Sequence, residues 1–177
     1  MNSPAMTVRK IRENFSSLQD ILLFMRILSL VAVLPAMLRL LSIPMLMRML
    51  TPRPTISFRN PVTDEVRDKI VKYTDYIQGR NFWMFKSTCL RRSLVLYHVL
   101  RKAGIDVQIC FGVRYKGESL GEESPRDLEG HAWLLYKGEI FLERNVAMAK
   151  TYAVTYQFPP SGEYSPREGL EFTGENR

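Results

Sequence analysis

The sequence contains few residues of the kinds that build metal sites and disulfide frameworks. Its 177 residues include only two cysteines, Cys89 and Cys110, and two histidines, His98 and His131. Their spacing fits neither a C-x2-C nor an H-x3-H pattern, which argues against structural zinc. Two cysteines and no evident secretory signal indicate free thiols in a cytoplasmic protein rather than a disulfide. We therefore expect no metal and no cofactor.

Acidic residues are nearly absent from the first third of the chain. Residues 1–60 hold eight Lys/Arg against Glu13 and Asp20, a net charge of +6, whereas the remainder holds 17 Lys/Arg and 16 Asp/Glu, a net charge of +1. The basic character therefore belongs to the N-terminal segment. Because no nucleic-acid-binding motif accompanies this charge, we expect no nucleic-acid partner.

Long uncharged apolar runs are also absent. Residues 16–50 are rich in Leu, Met and Ile, but the longest charge-free run, residues 27–38, contains Pro35. This run is shorter than the roughly 20 residues that a membrane-spanning helix needs. We expect two or three short amphipathic helices, broken at Pro35 and Pro44. Three interpretations stay open: packing on the domain or a partner protein, peripheral contact with a membrane surface through residues 16–50, or a transmembrane anchor.

Helical and strand patterns follow a stiff Thr-Pro-Arg-Pro break at residues 51–54. Apolar spacing predicts helices from about residue 63 to Gly79 and from Ser87 or Thr88 to Lys102, and strands at 106–115, 130–135, 140–143 and 151–158. This order predicts an α+β fold. We divide the chain into a basic, apolar helical segment (1–58), a catalytic domain (59–158) and an irregular tail (159–177).

Cys89 stands in the first turn of the second of these predicted helices. The positive end of a helix dipole and the unpaired N–H groups of a first turn lower a thiol pKa and favour the nucleophilic thiolate. An isolated cysteine is more often inert and buried, which is how we interpret Cys110 in its apolar strand. His98 follows Cys89 in the same helix at about 13 Å and cannot serve it. His131, on a predicted strand, is the remaining candidate base.

The turn after the strand of His131 decides whether an acid faces it. A three-residue loop at 136–138 pairs His131 with Glu143 and brings their Cβ atoms to about 5 Å. A two-residue loop at 137–138 pairs His131 with Arg144 instead and moves Glu143 to the other face. We expect the first register, and with it a thiol, imidazole and carboxylate site.

Each group in such a site has a chemical role. His131 would take the thiol proton and later protonate the leaving amine, while Glu143 would hold the ring tautomer. The backbone N–H of Cys89 is one candidate oxyanion donor. The indole N–H of Trp83 is a second candidate, although an aromatic residue in this connector is more often part of a core. The acidic loop at 116–129 is either a solvated connection or a lid.

Four motifs then carry a family resemblance: CLRRSL at 89–94, LRKAG at 100–104, FGVR at 111–114 and GHAW at 130–133. Together they closely resemble the transglutaminase-like cysteine peptidases of lasso-peptide biosynthesis, over roughly residues 60–150. The resemblance implies a transglutaminase/papain-like core, in which the helix bearing Cys89 packs on an antiparallel sheet. It also implies Cys89 as nucleophile and His131 as base, with Glu143 where that family usually has Asp.

The resemblance also implies a function and partners. The stand-alone members of that family remove the leader from a ribosomally made precursor peptide, usually with a separate leader-peptide-binding protein, before a lasso cyclase closes the ring. Two alternatives stay open. The protein is either an inactive scaffold that binds peptide or membrane partners, or an amidase or acyl transferase that uses the same thioester intermediate.

Overall fold

The computed structural model describes residues 17–52, 63–79, 88–115 and 128–160. Its helices are α1 (Leu18–Leu40), α2 (Ile43–Leu50), α3 (Asp64–Gly79), α4 (Cys89–Lys102) and the short α5 (Val146–Ala149). Its strands are β1 (Val107–Tyr115), β2 (Leu128–Tyr136), β3 (Glu139–Phe141) and β4 (Ala153–Phe158). The strands form an antiparallel sheet in the order β3-β2-β1-β4. Helices with an antiparallel sheet confirm the predicted α+β class.

Helix α1 begins with a capping box. The Ser17 side chain accepts the Asp20 backbone N–H at 3.3 Å, and the Asp20 carboxylate accepts the Ser17 N–H at 3.2 Å. This reciprocal pair satisfies two donors of the first turn. The same carboxylate lies 3.2 Å from Lys69 Nζ of α3, so the cap also ties α1 to the domain.

The predicted break at Pro35 is wrong, because α1 continues through it. A proline inside a helix costs about 3 kcal/mol, since one backbone hydrogen bond is lost. Fully burying an aliphatic side chain contributes about 1.5–3 kcal/mol, and Ile27, Val31 and Leu34 are all buried here. Packing on the core therefore outweighs the local preference of the proline.

Helix α1 is also apolar on both its buried and its exposed side, rather than amphipathic. By length and composition alone it could cross a membrane, a test that core helices of soluble proteins and signal sequences also pass. Only α2 fits the predicted short amphipathic helix: it buries Leu46, Met47 and Leu50, and Pro44 stands in its first turn. The predicted break before Pro44 is thus confirmed.

The sheet has a core on each face. The larger core joins α1, α2, α3 and α4 to one side of the sheet, and includes Ile27, Leu46, Ile70, Leu94, Leu100, Ile109 and Leu134. The smaller core lies on the other side and contains Cys110, Trp133, Leu135, Ala149 and Tyr152. Strand β1 is therefore buried on both faces, not half-buried as its alternating pattern suggested. Cys110 is a core residue, as expected.

The hairpin between β2 and β3 adopts the register that we did not expect. Tyr136 pairs with Glu139, which leaves a two-residue loop. Both loop residues have positive φ, 52° at Lys137 and 82° at Gly138. That combination defines a type I′ turn, whose twist matches hairpin strands. The predicted strand pairing of His131 with Glu143 is therefore wrong, since this register would place residue 144 opposite His131.

Several predictions fall outside the described residues. They include the boundary at residues 58 and 59, the alternative helix start at Ser87, the oxyanion candidate Trp83, most of the acidic loop and the tail from residue 161. The three-region division of the chain therefore stays a prediction.

Candidate active site

Helix α4 begins at Cys89, so the cysteine stands in the first turn, as predicted. Thr88 is the N-cap, in an extended conformation, and its side chain accepts the Arg91 backbone N–H at 3.2 Å. Cys89 is a free, partly buried thiol. Its own backbone N–H lies in the first turn, where no carbonyl of the same helix can accept it. The thiol therefore stands beside a backbone donor at the positive end of a helix.

His131 of β2 faces the carboxylate of Glu143. His131 Nε2 lies 3.5 Å from Glu143 Oε2, and the two side chains are only 7% and 11% exposed. The separation suits an ion pair, yet His131 Nε2 makes no aligned hydrogen bond with any described group. Hydrogen bonds at catalytic sites often tighten only when substrate is bound, so the missing alignment does not argue against the pair. The second oxygen, Oε1, accepts the backbone N–H of Arg144 at 2.9 Å.

Glu143 reaches His131 through a local distortion rather than through strand pairing. Strand β3 ends at Phe141, and the next residue, Leu142, has φ of 56°. This left-handed conformation costs a non-glycine residue about 1–2 kcal/mol. It ends the alternation of the strand, so that Glu143 turns back toward His131. The contact predicted from sequence is present, but for a different reason.

Arg92 of α4 holds this distorted segment. Its Nη1 donates to the Leu142 carbonyl at 2.8 Å, and its Nε and Nη2 donate to the two carboxylate oxygens of Asp75 at 2.7 and 3.3 Å. Arg92 is 11% exposed, and Asp75 also pairs with Arg144 Nη2 at 3.1 Å. A bidentate Arg–carboxylate pair fixes both partners in orientation. The helix that starts at Cys89 is thereby tied to the segment that carries Glu143.

The next residue of α4 ties the same helix to the strand of the histidine. Ser93 Oγ donates to the Ala132 carbonyl at 2.8 Å, and both groups are buried. Ala132 follows His131 directly. The cysteine helix is therefore tied to the neighbours of both other candidate residues. Arg92 holds the residue before Glu143, and Ser93 holds the residue after His131.

Two aromatic rings lie beside His131. The Tyr152 ring lies 5.1 Å from the imidazole, and the Trp133 ring stacks on the imidazole at 5.8 Å. Arg114 lies over Tyr152 at 4.5 Å and donates twice to Glu129, at 2.8 and 3.0 Å. These contacts fix the plane of the imidazole, which a general base requires.

Tyr152 lies in a partly buried, charged environment. Burial raises the pKa of Tyr152, nearby Arg114 lowers it, and Glu129 raises it. No hydrogen bond joins Cys89 to His131 within the described residues.

The remaining cysteine and histidine lie elsewhere. Cys110 is fully buried, and burial raises its pKa to about 12, so that it stays a thiol. His98 Nδ1 donates to the Leu50 carbonyl at 2.7 Å and ties α4 to the end of α2. It does not approach the site, in agreement with the sequence. Within the described residues no group of three His, Cys, Asp or Glu side chains is arranged to hold a metal.

A family comparison agrees with this geometry. A sequence profile of the Transglutaminase-like superfamily matches residues 30–157, from within α1 to the last residue but one of β4. The chain belongs to the transglutaminase-like superfamily. This superfamily includes both cysteine peptidases and transglutaminases, so membership fixes the scaffold and not the reaction. No curated protein and no solved structure gives a match.

Sequence reasoning missed several members of this transglutaminase-like site. Trp133 was recoverable, because residues two apart on a strand share a face and Trp133 therefore accompanies His131. Arg92 and Asp75 gave only a weak signal, since their contact depends on how α3 packs against α4. Tyr152 gave no local signal, because the unpredicted helix α5 sets its position.

Proposed function

We propose that this protein is a cysteine peptidase that removes the leader peptide from a ribosomally synthesised, lasso-type precursor. The contact between His131 and Glu143 carries the chemical part of this proposal, because a nearly buried carboxylate beside an imidazole is what a thiol site needs to orient its base. Cys89, a free thiol at a helix start, supplies the nucleophile. The choice of leader peptide as substrate rests on the resemblance of the motifs at 89–94 and 130–133.

The proposed reaction has two steps, acylation of Cys89 and hydrolysis of the resulting thioester. Since Glu143 faces Nε2, that nitrogen carries the proton, and Nδ1 is left to accept the proton of Cys89. The thiolate attacks the scissile carbonyl, and the Cys89 N–H stabilises the oxyanion. The imidazolium then protonates the leaving amine, which leaves a thioester. Water, deprotonated by His131, attacks the thioester and releases the carboxylate product.

The proposal brings partners with it. We expect a precursor peptide as substrate, a separate leader-peptide-binding protein that presents it, and a lasso cyclase that takes the product. This chemistry needs no metal and no cofactor, and we expect it to take place in the cytoplasm. We expect no nucleic-acid partner for the basic N-terminal segment.

Transfer to an amine is the second candidate reaction. The superfamily also includes transglutaminases, and an amine can attack the same thioester in place of water. The third candidate, an inactive scaffold, draws on Glu143 standing where the resembled peptidases usually have Asp. These candidates differ in product, so one assay separates them.

The test is incubation with synthetic lasso-type precursor peptides, with and without a leader-binding protein, followed by mass spectrometry. The peptidase proposal predicts a free leader and a free core peptide, lost in Cys89→Ala and retained in the matched control Cys110→Ala. Products that appear only as adducts of added hydroxylamine would indicate acyl transfer. Cleavage that survives in Cys89→Ala, or none with any precursor, would overturn the proposal.

A further inference from the structure

The two N-terminal helices expose several large apolar side chains. Its members are 51–81% exposed, although large aliphatic side chains are normally buried. They are Leu18, Leu22, Met25, Val33 and Leu40 of α1 and Met45 and Met49 of α2. We call these seven residues the outer face. Exposed apolar surfaces of this kind mark sites of interaction with other molecules or with membranes.

The outer face lies opposite the side of α1 that packs on the domain. Successive residues of an α-helix are about 100° apart, which places the exposed α1 residues roughly opposite Ile27, Val31 and Leu34. The same count places Arg26 and Arg39 on the two flanks of the outer face, roughly 55–85° from its centre. Both arginines are exposed. The apolar stripe is therefore bordered by a cation on each side.

Charge on this surface has one sign. The sequence contains no Asp or Glu from residue 21 to residue 63. Arg26, Arg39 and Arg48 are exposed, and none of them forms an ion pair with another described residue. The preceding acid, Asp20, is buried and paired with Lys69. An anionic partner would therefore meet no acidic residue in this stretch.

We propose that the outer face docks on an anionic lipid surface, with α1 lying parallel to the membrane plane. An apolar stripe flanked by arginines, whose long side chains reach to headgroup level, is the arrangement of interfacial helices. A protein partner could also cover apolar surface, and Met and Arg are common at protein interfaces, but such interfaces do not require a single sign of charge over two helices. The absence of acid favours lipid.

Contacts with the domain argue against a spanning orientation of α1. The Phe24 ring packs edge-on against Tyr73 of α3 at 5.7 Å, and Asp20 pairs with Lys69. Buried residues continue along the same side to Leu34. A helix held along three or four turns cannot cross a bilayer without leaving these partners, whereas one lying flat keeps them.

Flotation with lipid vesicles tests the proposal on the full chain. One vesicle is phosphatidylcholine alone, and the other is an equimolar mixture of phosphatidylcholine and phosphatidylglycerol. The first variant replaces Arg26, Arg39 and Arg48 with Gln, and its matched control replaces Lys102, Lys137 and Lys150 with Gln, so both lose the same charge. The second pair is Leu22→Glu on the outer face and Leu128→Glu, an equally exposed leucine of β2. Thermal unfolding checks that each variant is folded.

We expect the parent to float with the anionic vesicles only. The arginine triple variant should bind about 100-fold more weakly, since each basic residue near an anionic surface contributes about fivefold. Leu22→Glu should also lose binding, and both controls and Cys89→Ala should keep it. Salt of about 1 M should release the protein, because it shortens the Debye length to about 3 Å.

Three results would overturn the proposal. Equal binding to both vesicles would remove the role of charge, and retention at high salt and in alkaline carbonate would indicate a spanning helix instead. No binding to either vesicle, with the parent folded, would leave the outer face to a protein partner. None of these results depends on peptidase activity.

Discussion

Arg92 donates a hydrogen bond to the Leu142 carbonyl at 2.8 Å, so the helix that begins at Cys89 directly holds the residue before Glu143. Leu142 is in a left-handed conformation with φ of 56°. Such a conformation persists in a non-glycine residue only where surrounding contacts stabilise it. Arg92, anchored by Asp75, supplies a contact of that kind.

Replacing Arg92 with Gln should therefore release Glu143 as well as weaken the fold. We expect the free energy of unfolding to fall by about 1–3 kcal/mol, since a nearly buried charge-assisted network is lost. We also expect kcat to fall by about tenfold or more with little change in KM, because Glu143 would no longer be held beside His131. Peptide cleavage kinetics and urea unfolding measure the two effects.

Arg67→Gln is the matched control for Arg92. Arg67 also pairs with two carboxylates, Asp64 and Asp68, but these contacts stay within α3 and are exposed. Exposed pairs of this kind contribute little, so kcat should not change. If Arg92→Gln and Glu143→Gln give additive losses in the double variant, Arg92 does not act through Glu143.

Glu143→Gln separates the charge of Glu143 from its anchoring role. The amide can still accept the Arg144 N–H, but it cannot stabilise an imidazolium. We expect kcat/KM to fall about 10- to 1000-fold. The kcat/KM of Glu143→Asp should lie between those of the parent and Glu143→Gln, because the shorter side chain places the carboxylate about 1.5 Å farther from His131. Glu139→Gln, an exposed acid in the same hairpin, is the control, and an equal loss in both variants would contradict the assignment.

The hairpin shows how far the sequence could lead. The sequence placed Cys89 at a helix start and His131 on a strand, because caps and alternation are local patterns. It did not give the register, since a Lys-Gly pair can adopt a two-residue turn as well as end a three-residue one. Nor could it indicate the conformation of Leu142, which depends on Arg92 from a distant helix. The correct contact thus came from an incorrect register.

The fold was predictable to a similar depth. The helical and strand patterns fixed the class, but the break at Pro35 failed because burial of α1 on α3 and α4 outweighs the proline. Propensity is a local quantity, whereas this burial depends on partners far away in sequence.

Gly112 should tolerate no larger residue. It lies opposite His131 in the sheet, and a Cβ there would meet Trp133 Cη2 at 2.8 Å and the Ala153 carbonyl at 2.9 Å. We expect Gly112→Ala to lower the free energy of unfolding by about 1–3 kcal/mol and to shift the tryptophan fluorescence. Gly130→Ala is the control, because its Cβ would meet only one atom, at 4.0 Å. Equal stabilities in the two variants would count against this packing.

His98 should make the stability depend on pH. Burial lowers its pKa, the Leu50 hydrogen bond raises it, and Lys102 and Arg26 lower it. Because the folded chain favours the neutral ring, this contribution is present above the unfolded pKa of about 6.5 and is lost as the pH falls through the lowered folded value. Urea unfolding should show a lower free energy of unfolding at about pH 5.5 than at about pH 7.5.

His98→Asn is the variant that checks this pH dependence. The asparagine amide can still donate to the Leu50 carbonyl but does not titrate. The variant should therefore lose less stability than the parent between the two pH values. A variant that loses as much stability as the parent would show that other groups set the pH dependence.

The central claim is that His131 activates Cys89, and its most direct test is the rate of iodoacetamide labelling of Cys89 as a function of pH. The measurement compares the Cys110→Ala variant with the double variant Cys110→Ala, His131→Ala. We predict rapid labelling at about pH 7, where an ordinary thiol with a pKa of about 8.5 is mostly protonated. We also predict that His131→Ala loses this rapid labelling. If both proteins label only as an ordinary thiol does, with the same pH profile, His131 does not activate Cys89 and the proposed enzyme has no nucleophile.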